Sequence, residues 1–166
     1  MASNFAFLKS YHGMHKLHHL SHMAEKAYRN GQFATEALLI SEISGRLIRK
    51  LVKQELPNLN RPFNSEDGLI MLQTTQLLND ELIMLLTQLR AAGRHPKRID
   101  AAFAYQIMVK LHYLLIWYVN HYLDGHENPA ILSCTDFNIR KQAVLFQAPL
   151  KLETALFFKI KFSRAA

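Results

Sequence analysis

The stretch "YHGMHKLHHLSHM", residues 11 to 23, carries five of the chain's nine histidines. Imidazoles three and four residues apart share a helix face, so His15, His19 and His22 have the spacing of a metal chelate. The same groups titrate near neutrality and would suit a pH-sensitive interface. Neither a cysteine nor a carboxylate stands inside the cluster to complete a ligand set or to orient the rings. On a helix turning about 100° per residue, Leu17, Leu20, Ala24, Ala27 and Tyr28 fall on one side. His12, His15, His18, His19 and His22 fall on the other, with Lys26 and Arg29. The stripe therefore reads as a solvated or partner-facing surface, with the metal site as its alternative.

A second constellation lies in "RAAGRHPKR", residues 90 to 98. Arg90 and His95 are separated by four residues. A histidine can move the proton of a ribose 2′-hydroxyl, and an arginine can stabilise charge on a phosphate, so the pair could serve metal-independent RNA cleavage. Arg94, Lys97 and Arg98 could hold a nucleic-acid backbone. Against cleavage, Pro96 biases His95 towards an extended conformation. A turn that contacts phosphates without cutting, or a solvated one, is the plainer reading.

These residues need helices to position them, and helical signals dominate the chain. A first helix is expected from about Phe7 to Arg29, stopped by Asn30-Gly31. A second follows from about Phe33 to Gln54. "LPNLNRPFNSEDG" then reads as a loop, marked by Pro57 and Pro62. A short helix is expected near Leu69 to Leu77. Asn79 or Asp80 caps the next one, "ELIMLLTQLRAAG", which ends at Gly93. Asp100 opens a long helix that reaches Leu123. Residues 126–166 are less periodic: "FKIKF" alternates like a strand, and Phe157, Phe158 and Phe162 pack, or stack bases beside Lys159 and Lys161.

With 49% hydrophobic and 20% charged residues, this is a globular composition rather than a disordered one. A net charge of +7 leaves room for a polyanion as partner without identifying one. The lone Cys134 can form no internal disulfide, and a reducing cytoplasm is expected. No secretory leader is visible in "MASNFAFLKSYHG". The apolar run 105–123 is interrupted by Lys110, His112, Asn120 and His121, which favours a buried helix over a membrane span. Trp117 lies in "LLIWYV", which is apolar on every side, so this part of the helix is central in its bundle or meets a second subunit, and a homodimer is expected to cover the surplus. No glycine-rich phosphate loop, zinc-finger spacing or nucleophile elbow is present, and no cofactor is expected.

Taken in order, "NFAFL", the helix around Glu42, "RPFN", "LTQLRAAG" and "LHYLLIWY" resemble the helical N-terminal domain of the restriction subunits of type I restriction enzymes. They are also similar to the HEPN superfamily of helical bundles. The resemblance spans roughly residues 3 to 124. It implies an all-α antiparallel bundle of four to five helices over 1–125, with an irregular C-terminal tail over 126–166. It also implies a polar contact between Glu42 and Arg90 inside the bundle. The family's arginine ahead of Glu42 is Leu38 here, its Asn is Arg94 and its His is Arg98. The function expected is therefore a non-catalytic interaction or assembly module of a bacterial restriction or phage-defence system, touching nucleic acid through the basic turn. The alternative is a HEPN-type ribonuclease using Arg90 and His95.

Overall fold

The computed structural model describes residues 3–127. Over these residues it is all-α, a five-helix bundle without a strand. The tail expected beyond 127, with its phenylalanine cluster and Cys134, lies outside the described residues. α1 spans His15–Arg29, α2 Phe33–Glu55, α3 Ser65–Thr74, α4 Asp80–Ala92 and α5 Ala101–Tyr122.

The expected first helix is in fact two elements. A 3₁₀ turn, Ala6–Ser10, precedes α1, and the chain bends between them at Gly13 with φ +74°. That left-handed backbone is open to glycine and costly for other residues, so the helix cannot run through it. His12 therefore lies in the turn and not on the helical stripe. α1 ends with Gly31 at φ +70°. The Gly31 N–H donates to the Tyr28 carbonyl at 2.9 Å and the Gln32 N–H to the Ala27 carbonyl at 2.8 Å. This paired closure satisfies the last carbonyls and turns the chain straight back into α2.

α2 is the central helix. Ile40, Ile43, Leu47, Ile48, Leu51 and Val52 are fully buried, and α2 packs on each of the other four helices. α3 begins four residues earlier than the loop chemistry suggested. Asn64 accepts from the Glu66 and Asp67 N–H groups at 2.8 and 2.9 Å, and Asp67 accepts from the Asn64 N–H at 3.4 Å. This capping box starts the helix inside the Asn- and Pro-rich segment. Asn79 caps α4 and Asp100 caps α5, each at 2.8 Å, as the sequence indicated.

α5 is the one helix among the described residues long and apolar enough to cross a membrane by length and composition. Here it packs against α2, α4 and α1. Leu111, Leu114, Leu115, Ile116, Tyr118 and Val119 are buried within this chain, while Tyr113 and Trp117 are half-buried. These buried side chains are covered by the chain's own neighbouring helices. Large exposed apolar side chains are spread over all five helices: Met23, Leu38, Ile70, Met84 and Phe103.

The N-terminal segment is latched to α1 and α5. Glu25, buried in α1, accepts from the Ser3 hydroxyl, from the Asn4 side chain at 2.6 Å and from Arg29 at 2.7 Å. Phe5 and Phe7 set their rings edge-on to buried His112 of α5. Burial holds the His112 imidazole below its ordinary value and hence neutral at pH 7.

Candidate functional site: a basic groove between α4 and α5

α4 ends in a tight approach to α2. A Cβ added at Gly93 would stand 2.6 Å from Ser41 Cβ, so only glycine fits this contact. The chain then crosses to α5 through a 3₁₀ turn, Pro96–Arg98. Because α4 and α5 are joined here, the turn forms one end of a groove between them. The groove is open to solvent along its length and offers about 500 Å³ of space.

Its walls divide by chemistry. Ala91 and Ala92 of α4, with Ile99, Phe103 and Ile107, supply an apolar surface. Phe103 is 41% exposed, so its ring is available to a ligand. His95 and Arg98 stand at the turn. Lys110 and Gln88 stand at the other end, where the ammonium donates to the Gln88 amide oxygen at 3.2 Å. From Phe103 to Lys110 is two turns of α5, roughly 10 Å. The groove therefore has cations at both ends and an apolar middle.

The basic turn is divided by this geometry. Lys97 and Arg98 are exposed, and Arg98 faces the groove. Arg94 instead reaches Glu66 of α3 at 3.4 Å, an exposed ion pair outside the groove. Such a pair contributes little to stability and leaves most of the guanidinium in solvent.

Arg90 and His95 are not brought together. Arg90 Nε donates to Ser65 Oγ at 3.1 Å and Arg90 Nη1 to Ser41 Oγ at 2.8 Å. Ser41 in turn donates to the Arg90 carbonyl at 2.8 Å. Gly45 lies beside the guanidinium, where a Cβ would make ordinary contact with Arg90 Nε at 3.7 Å. On α4, Arg90 points away from the face of Gln88, Ala91 and Ala92 that lines the groove with His95. The guanidinium is thus a strut between α2, α3 and α4. The expected Glu42–Arg90 contact is also replaced: Glu42 pairs with Arg46, one turn along α2, at 2.7 Å.

On α1, His15, His19 and His22 are exposed, as the helical wheel indicated, while His18 is half-buried. Among the described residues no three His, Cys, Asp or Glu side chains stand together as a metal-ligand set. His15, His19 and His22 are not gathered into one.

The sequence reading missed Glu36. It is fully buried in the first turn of α2, and neither carboxyl oxygen has a hydrogen-bond partner. Desolvation pushes its pKa from 4.5 up to about 9, so it is a neutral acid at pH 7. A signal was present: Glu36, Ile40, Ile43 and Leu47 share the 4-3-4 spacing of one apolar stripe.

No protein-family model matches this chain, nor does any curated protein or solved structure.

Proposed function

We propose that this bundle is a non-catalytic module that holds single-stranded nucleic acid in the α4–α5 groove. The observation that carries the reading is the groove's division into cationic ends and an apolar middle. Arg98 and Lys110 meet phosphates, and the exposed ring of Phe103 offers a base a stacking surface. The net charge of +7 favours the same partner. The likeness of "LTQLRAAG" and "LHYLLIWY" to restriction-subunit helical domains supports a setting in a restriction or phage-defence assembly. Cleavage by Arg90 and His95 is disfavoured, because Arg90 is engaged by two serines on the far side of α4.

The test is fluorescence anisotropy with a labelled single-stranded oligonucleotide across a salt series. Arg98→Gln with Lys110→Gln is expected to weaken binding and to flatten the slope of log K against log salt by about 1.4, since each phosphate contact on a single strand contributes about 0.7. Phe103→Ala is expected to weaken binding roughly 5- to 100-fold with the slope unchanged, as for loss of one stacked base. Arg94→Gln, which lies outside the groove, should do little. An unchanged slope in the double variant would show that the charge acts elsewhere. Metal-free RNA cleavage that disappears with His95→Ala would replace this reading with the ribonuclease one.

A further inference from the structure

The groove makes no use of the histidines on α1, and their arrangement carries an inference of its own. His18 and His22 are one helical turn apart. Their rings lie nearly parallel, 12° between planes, with centroids 6.4 Å apart. We propose that these two imidazoles form an open chelation site for a borderline divalent ion of the zinc, copper and nickel class.

Metal–nitrogen bonds of about 2 Å to a tetrahedral ion would set the two ring centroids roughly 5 Å apart. The existing pair is about 1 Å wider than that, and its planes are nearly parallel. The rings must therefore both close and turn to aim their in-plane lone pairs at one ion, a change of side-chain torsions on a fixed helix. His22 is exposed and His18 half-buried, so one ring is packed in place and the other is free to swing.

The surroundings also define which ions fit. No third ligand stands ready among the described residues, so the remaining positions go to water or to a partner's side chain. The one carboxylate of α1, Glu25, is buried and taken up by Ser3, Asn4 and Arg29. A site with two imidazoles and no oxygen donor rejects hard cations such as Mg²⁺ and Ca²⁺, which require several oxygens. Lys9, Lys16 and Lys26 on or beside this helix repel a dication and are expected to keep the affinity in the micromolar range. The ion would be exchangeable, unlike one that holds a fold together.

The experiment is titration of the full chain with Zn²⁺ at pH 7.4, followed by calorimetry, with 5 mM Mg²⁺ as competitor. One saturable site is expected, unaffected by Mg²⁺ and weakening as pH falls below the ordinary histidine value. His22→Gln alone, at an exposed position that folding does not need, is expected to weaken binding at least tenfold. His15→Gln with His19→Gln is expected to leave it within threefold. Zn²⁺ should raise the melting temperature of the unaltered chain and not that of His22→Gln, because an ion bound only by the folded helix stabilises it. Binding that survives His22→Gln, binding lost equally in the His15/His19 variant, or no saturable binding overturns the assignment.

Discussion

Glu36→Gln is expected to stabilise the domain by about 3 kcal/mol at pH 7 and to remove the decline in its stability from neutral pH towards pH 9. In the folded protein this carboxyl keeps its proton until about pH 9, whereas the unfolded chain loses it near 4.5. Unfolding at pH 7 therefore releases a proton. The folded state binds the extra proton throughout that window, so its stability is full below 4.5 and declines as pH rises towards 9. Glutamine has nearly the same shape and likewise buries a donor and an acceptor without partners, but it has no proton to release. His112 works with the opposite sign. Its folded-state value is lowered, so its contribution is intact above the ordinary histidine value and is lost as pH falls through the folded one. Urea denaturation at several pH values checks both. A wild-type profile that stays level from pH 5 to 9, or a glutamine variant weaker than wild type at pH 7, would mean that Glu36 ionises with a partner.

Gly93→Ala is expected to cost about 2 to 3 kcal/mol, the range for forcing a methyl group into a packed contact. In melting temperature this is a fall of roughly 5 to 10 °C. The reason is not backbone freedom, since φ at Gly93 is an ordinary −76°. The new Cβ would meet Ser41 at 2.6 Å, so α4 must draw back from α2. Doing so strains the Ser41 bonds to the Arg90 guanidinium and carbonyl. Gly31→Ala supplies the comparison. It has nothing within 4 Å but sits at φ +70°, and should lose only about 1 kcal/mol from backbone strain. Scanning calorimetry of the two variants separates the mechanisms. A Gly93 variant no weaker than the Gly31 one would show that the helices yield without cost.

How much of this could be read beforehand depended on whether the deciding physics was local. Asn79, Gly93 and Asp100 act on their own helix ends, and α4 and α5 fall where those residues place them. The start of α1 was misplaced because Gly13 reads the same inside a helix as at a break, and only its φ tells them apart. α3 was begun late because two prolines outweighed the Asn64–Asp67 box. Arg90 was assigned to Glu42 because opposite charges attract attention, whereas two serines hold the guanidinium as neutral hydrogen-bond acceptors. The groove was half legible. Phe103, Ile107 and Lys110 are one face of α5 by spacing alone, but a helix apolar on all sides conceals which face is left open.

The strut at Arg90 has a consequence for how such a chain can diverge. Ser41, Ser65 and Arg90 depend on one another for hydrogen bonds, and Gly93 is held to glycine by the close approach of Ser41. A lysine at 90 would place a compact charge where a planar fork now spans two hydroxyls. A side chain at 93 would displace the serine that the fork holds. Single changes at Ser41, Ser65 or Arg90 are therefore penalised in the presence of the other two, while a coordinated replacement is open. Across related chains these three positions should covary: wherever the arginine is exchanged, the two serines are released from their hydrogen bonds together, while position 93 stays glycine as long as residue 41 carries a Cβ.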